Sequence, residues 1–389
     1  MYNWVLFDID GVMLSEERYF DASSLAVYEL LTSPQYLNLR IANLPGFSVR
    51  LDDASVRQIR RQVFANDEFL SFIKNRGINA NWDMVYLQFV AALAAITERI
   101  VPEPQPERET AASDDSDWQN QRRRLIERLR HRVSQGSTVS SEVFHAYARL
   151  FADCQGKDEM FAVCRRVLSP FVGDAEQDIW DLGKDVFQEW YLGEAYGGPG
   201  WHGQATGKTG YLEQERPVVD PDAFRQLLDE IVSMGIQTGI ATGRPRLETE
   251  VPLRSYDWLS RFDANRITTA SEVLEAQTVR PEAGPLSKPN PFSYLRSYLG
   301  TADFSAVLDT ALPLPPEEGR RILVVGDSVA DALAANAMGC DFAAVLTGLE
   351  GPAARSSFAT LSCTYILNDV LELRQVLAKT ATEPEGVQR

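Results

Sequence analysis

Cysteine and histidine are scarce in this chain, with four and three residues among 389. The cysteines (Cys154, Cys164, Cys340 and Cys363) stand at no CxxC spacing. That excludes a disulfide framework or a zinc site as the organising element, and single buried thiols in a reducing cytoplasm are expected. His131, His145 and His202 are too scattered for a metal centre. Positive charge is also short: Lys and Arg total 38 against 55 Asp and Glu, a net charge of −17. Such a chain should repel nucleic acid and anionic membranes, because phosphate-backbone binding needs a basic footprint. No apolar run approaches the roughly 18–20 residues of a membrane span. The opening MYNWVLFDID has neither a basic stretch nor the long apolar segment of a secretory signal, so a cytoplasmic location is expected.

Hydrophobic residues make up 44% of the chain, an ordinary globular share, and the length calls for two or more domains. Four short apolar runs end in polar turns. Residues 4–7 lead into Asp8-Ile9-Asp10-Gly11, and 236–241 into Thr242-Gly243. Residues 322–325 lead into Gly326-Asp327, and 342–346 into Thr347-Gly348. Runs of this kind read as buried strands. Helical patterns lie between them. Residues 221–234 have Asp220 as N-cap, Pro221 at the first position and Gly235 as stop, and 329–338 stop at Gly339. The alternation predicts an α/β fold, a doubly wound, Rossmann-like parallel sheet whose ligands bind at the carboxyl ends of the strands.

Residues 17–215 read differently, as helices over 22–31, 54–65, 67–74, 82–99, 118–133, 141–152, 158–168 and 174–192, with no strand before 210. The expected organisation is a core of 1–16 and 216–378 with an all-helical insertion of 17–215 after the first strand. Residues 101–117, rich in Pro and acid, read as a mobile surface loop, and 379–389 as a disordered tail.

The polar turns carry the chemistry. Phosphoryl transfer needs an in-line nucleophile, charge neutralisation and a proton donor for the leaving group. Two carboxylates two apart at a strand end can divide these tasks, with Asp8 attacking phosphorus and Asp10 acting as acid and then base. Thr242 and the Gly243 amide offer donors for phosphate oxygens, and Lys288 offers a compact positive charge. Asp327 and Asp331, four apart at a helix start, face one side.

With Asp8-x-Asp10-Gly11, Thr242-Gly243-Arg244, Lys288-Pro289 and Gly326-Asp327-Ser328-x-x-Asp331 in that order, the chain resembles the haloacid dehalogenase (HAD) superfamily, in its phosphatase branch. The resemblance covers 1–16 and 216–378, and the placement of the insertion looks like that superfamily's C1 cap. It implies Mg²⁺ held by Asp8, by Asp10 through its backbone carbonyl, and by Asp327, with Asp331 behind or sharing. It places Thr242, Gly243 and Lys288 at phosphate-binding positions. Dehalogenases of the superfamily lack the acid at the position of Asp10, so a small phosphorylated metabolite is the expected substrate. A sugar-phosphate mutase and a non-catalytic binding protein on the same scaffold are the alternatives.

Within the insertion, GQATGKT (203–209) fails as a phosphate loop, since position 202 is His202 where glycine is required. Lys208 and Tyr211 either contact substrate or belong to a solvated loop. Trp180, Phe187 and Tyr191 recur at helical spacing, with Trp190 adjacent, and read as core of the insertion. Arg244 and Arg246 either help bind substrate or pair with Glu248 and Glu250.

Overall fold

Every apolar run becomes a strand. The computed structural model describes residues 1–78, 80–97, 118–173, 176–361 and 363–382. Its strands are β1 (Trp4–Phe7), β2 (Arg40–Ile41), β3 (Thr138–Val139), β4 (Gln237–Ala241), β5 (Ile267–Thr268), β6 (Ile322–Gly326), β7 (Asp341–Val345) and β8 (Tyr365–Leu367). Six of them form one parallel sheet in the order β5-β4-β1-β6-β7-β8. β5 and β8 are edge strands of two and three residues, too short to leave an apolar run in the sequence.

A parallel sheet must be covered on both faces, and the alternation of side chains along each strand divides the core accordingly. Val5, Phe7, Leu323 and Val325 turn to one face, against Phe224, Leu228 and Ile231 of the helix Pro221–Ser233 and against Trp258. Leu6, Ile322 and Val324 turn to the other, against Phe292, Leu295, Ala335 and Met338. The helix Pro221–Ser233 starts where expected, with Asp220 Oδ1 accepting the Ala223 amide at 2.9 Å.

β1 lies between β4 and β6, with Phe7 opposite Ile240 on one side and Val325 on the other. The strand order reverses direction at β1, and such a switch point opens a crevice at the carboxyl ends. Asp8–Gly11 follow β1, Thr242 and Gly243 follow β4, and Asp327 follows β6.

Two compact units result, Met1–Glu16 with Leu212–Arg389, and Glu17–Tyr211. The second boundary therefore falls at Tyr211–Leu212 and not at 215–216. The outgoing and returning segments of the α/β unit run side by side, Ser15 N donating to Arg216 O at 2.7 Å and Val218 N to Met13 O at 3.0 Å.

The unit Glu17–Tyr211 is largely helical, but three expectations about the chain outside the sheet need correction. The insertion is not all-helical, because β2 and β3 pair in parallel, Arg40 with Thr138 and Ile41 with Val139. A two-residue ladder carries no periodic signal. The stretch 141–152 is a 3₁₀ turn (Ser141–His145) followed by a short helix (Ala146–Leu150). The tail is partly ordered, since the helix Leu373–Thr382 takes in 379–382. Residues 101–117, expected as a mobile loop, and residues 383–389 lie outside the described residues. Among the described residues, no helix is long and apolar enough to cross a membrane.

Phe7 has no exposed surface and meets Phe224 and Phe262 edge-on, both with ring centroids 6.2 Å apart. Phe7→Ala should destabilise the α/β unit by about 3–5 kcal/mol, read as a lower midpoint in denaturant unfolding. An unchanged midpoint would mean that the core is not built around this residue.

Candidate active site

Asp8 is the first residue beyond β1, and its amide donates to Val325 O at 2.9 Å, which continues the ladder with β6. Its side chain is 12% exposed. Lys288 Nζ lies 2.9 Å from Asp8 Oδ1 and 2.8 Å from Asp331 Oδ1. Tyr294 OH also donates to Asp331 Oδ1, at 2.8 Å. The Ser328 hydroxyl and amide donate to Asp331 Oδ2 at 2.7 and 3.2 Å. Asp331 thus closes the capping box of the helix Val329–Met338 and also walls the site.

Asp327 sits between two glycines. A Cβ on Gly11 or on Gly348 would stand 2.1 or 2.0 Å from Asp327 Oδ2. Gly11 also has a φ of +67°, which penalises any side chain there. Thr347 Oγ1 donates to the Gly11 carbonyl and ties the β1 and β7 turns together. One carboxylate oxygen from each of Asp8, Asp327 and Asp331 falls within 4.8 Å of the others.

The electrostatics follow from one ammonium facing two buried carboxylates. Burial pushes the Asp8 carboxyl up to about 7, reinforced by Asp331 and Asp10 and opposed by Lys288. Burial also works to raise Asp331, but Lys288 with the Ser328 and Tyr294 hydrogen bonds prevails, and its carboxyl stands below the ordinary value. Lys288 is held above its ordinary value, because Asp331 and Asp8 overcome the effect of burial. The cluster carries surplus negative charge, which a proton on Asp8 or a cation would offset.

Asp10 is not part of this carboxylate group. Its Oδ1 accepts from Arg244 Nε at 3.0 Å and Nη2 at 2.6 Å, and Arg244 Nη1 lies 3.0 Å from Glu215 Oε1. The Asp10 carboxylate is therefore engaged by a guanidinium, and only its backbone carbonyl fits the expected metal role. Arg244 Nη1 also reaches the Glu248 carbonyl, at 3.5 Å. It is buried, and it pairs with two acids that lie far from it in sequence. Arg246 pairs with Glu250 as expected, at 2.9 Å, but with Glu272 at 2.7 Å in place of Glu248.

Thr242 is buried, its amide donating to Thr268 O at 2.9 Å and its hydroxyl accepting from the Arg244 amide at 3.2 Å. Gly243 is exposed, with open space where a Cβ would stand. Tyr294 and Glu215 gave no sequence signal, since neither belongs to a motif.

In the unit Glu17–Tyr211, Lys208 is no solvated loop residue. Its Nζ is buried 2.7 Å from Glu29 Oε2 and 2.6 Å from Glu189 Oε2, and Trp190 Nε1 donates to Glu29 Oε2 at 2.7 Å. Gly210 of the same segment packs closely, since a Cβ there would stand 2.6 Å from the Leu192 carbonyl oxygen. Gly193 breaks the helix Glu176–Gly197, and a Cβ there would stand 2.5 Å from the Thr209 backbone. Tyr211 lies under the Arg18 guanidinium, 4.9 Å from ring centroid to Cζ. Phe187, Trp190 and Tyr191 are core, as expected, and Tyr191 stacks on Tyr19 with centroids 4.4 Å apart.

Residues 285–373 match a family model described as HAD-hydrolase-like. An X-ray structure from the Northeast Structural Genomics Consortium is 31% identical, with a TM-score of 0.78 over 97% of this chain and 99% of that one. The chain belongs to the haloacid dehalogenase-like hydrolase superfamily. A HAD-superfamily hydrolase (subfamily IA, variant 1) from Geobacter sulfurreducens is 16% identical, with a TM-score of 0.35 over 97% of this chain and 96% of that one. CbbY from Rhodobacter sphaeroides, in complex with phosphate, is 13% identical, with a TM-score of 0.39 over 96% of each chain. Likeness at those two levels carries no argument about this HAD chain's activity. A search of curated proteins finds no match.

Two stability measurements test this charge arrangement. Between pH 3.8 and about 7 the folded chain keeps a proton on Asp8 that the unfolded chain has lost, so stability falls as pH rises through about 7. In metal-free buffer, Asp8→Asn should be more stable than the parent at pH 8 and lose that advantage near pH 4. An advantage independent of pH would contradict the raised carboxyl. Lys208→Met leaves two carboxylates buried without their cation and should cost about 3–5 kcal/mol in denaturant unfolding. A loss below about 1 kcal/mol, the worth of a surface pair, would mean that Lys208 is hydrated.

Proposed function

We propose that this HAD-superfamily chain is a Mg²⁺-dependent phosphatase that hydrolyses a small phosphate monoester through an aspartyl phosphate on Asp8. The observation that carries the reading is the division of labour between the two first-turn carboxylates. Asp8 faces Lys288 in a cluster with surplus negative charge, and Asp10 is held separately on Arg244.

Lys288 binds Asp8 through Oδ1, which leaves Oδ2 to attack phosphorus. As the new P–O bond forms, the ester P–O bond breaks, and the leaving oxygen takes a proton from Asp10. In the second half-reaction Asp10 accepts the proton of an attacking water, and Asp8 departs from phosphorus as a carboxylate. Lys288, the Thr242 hydroxyl and the Gly243 amide hold the phosphate oxygens throughout.

The residues fit the metal that the superfamily implies, since three carboxylate oxygens converge within 4.8 Å in a site with surplus negative charge. Both oxygens of Asp331 are already bonded by Lys288, Tyr294 and Ser328, so Asp8, Asp327 and the Asp10 carbonyl would hold the ion directly, with Asp331 behind them. Mg²⁺ bound there supplies the charge neutralisation without which carboxylates and a phosphate dianion repel.

A panel of phosphate monoesters assayed with and without Mg²⁺ tests the reading. Phosphate release should require the ion and should fall about a thousandfold or more in Asp8→Asn. Turnover that survives in Asp8→Asn, or no release from any ester by folded, Mg²⁺-supplied protein, would overturn it.

A further inference from the structure

Arg244 is a fully cationic side chain, 1% exposed, placed between two carboxylates within the α/β unit. A buried ion pair is weak evidence for stability, since desolvation offsets most of the attraction. Its geometry is more informative. Both donors that reach Asp10, Nε and Nη2, converge on the same oxygen, Oδ1. Among the described residues, Asp10 Oδ2 accepts no hydrogen bond.

We propose that Arg244, braced by Glu215, is the positioning residue that decides which oxygen of Asp10 carries the transferable proton. This rests on the reading of Asp10 as the acid of a phosphatase. A guanidinium does not release its proton in a protein, so an oxygen that accepts two of its N–H groups cannot act as the proton donor. The transferable proton is confined to Oδ2. It passes from there to the leaving oxygen as the ester P–O bond breaks, and the proton of the attacking water returns to the same atom.

The arginine is itself held at both ends. Nη1 binds Glu215 Oε1 at 3.0 Å, and the Glu215 side chain has no exposed surface. Tyr256 OH donates to the Glu215 carbonyl at 2.5 Å and fixes that segment. The Arg244 amide donates to the Thr242 hydroxyl at 3.2 Å, which ties the arginine to the phosphate-binding turn.

The test is a leaving-group series on the full chain with Mg²⁺, comparing the parent with Arg244→Lys, Arg244→Met and Glu215→Gln. An alkyl phosphate needs its leaving oxygen protonated, whereas 2,4-dinitrophenyl phosphate does not. For Arg244→Met, kcat/KM should fall about a hundredfold or more on the alkyl ester, the range of a lost general acid, and within about threefold on the dinitrophenyl ester. Arg244→Lys should recover part of the alkyl rate, and competitive inhibition by inorganic phosphate should stay unchanged. Should Arg244→Met fail to fold, Glu215→Gln keeps an acceptor for Nη1 and should show the same leaving-group bias, smaller in size. An equal loss across all esters would make Arg244 merely structural and sink the inference, while Asp8-dependent turnover by the parent would leave the phosphatase reading standing. A parent inactive on every ester would remove both.

Discussion

The Lys288 ammonium between Asp8 and Asp331 is the contact on which the rest of the site depends. It draws together the turn after β1, the segment before the helix Phe292–Leu299, and the first turn of the helix Val329–Met338. Two carboxylates this close in a buried place would repel without a cation between them. The arrangement recurs. Arg244 stands between Asp10 and Glu215, and Lys208 stands between Glu29 and Glu189 in the other unit. In an acidic chain with few cations, each of these three buried cations serves two acids. The surplus carboxylate charge in the α/β unit makes the site receptive to a divalent ion or to a proton on Asp8.

Close packing at the carboxyl edge of the sheet sets the second constraint. Gly11 and Gly348 flank Asp327, and a Cβ on Gly326 would stand 2.5 Å from the Asp331 Cβ. Three turns from three strands can approach this nearly only where side chains are absent. The same reasoning applies inside the helical unit, where Gly193 lets the returning segment cross its helix. Glycines that look like flexible punctuation in a sequence are here points of close approach, to the Asp327 and Asp331 side chains in the site and to the Thr209 backbone at Gly193.

Much of the fold was legible in the sequence, because a buried parallel strand must be a short apolar run and its turn must carry polar residues. β1, β4, β6 and β7 declared themselves in this way, and Asp220 and Gly339 marked helix ends through local capping chemistry. The candidate site was legible to the same depth: Asp8, Asp10, Thr242, Gly243 and Asp327 follow strands, Asp331 lies in the first turn of a helix, and Lys288 stands in a turn ahead of one. What escaped was short or non-local. β2 with β3, and the edge strands β5 and β8, are held by neighbours and not by their own pattern.

The sequence by itself therefore determined which residues stand at the sheet's carboxyl edge, since strand ends and caps are set by local periodicity and turn chemistry. It could not determine how those residues divide their partners. Only the tertiary structure put Asp10 on Arg244 and Asp8 on Lys288, raised one carboxyl and lowered another, and buried Lys208 in a segment that reads as loop. Partner choice among charges depends on distance and burial between segments far apart in the chain, and neither quantity is written in the order of residues.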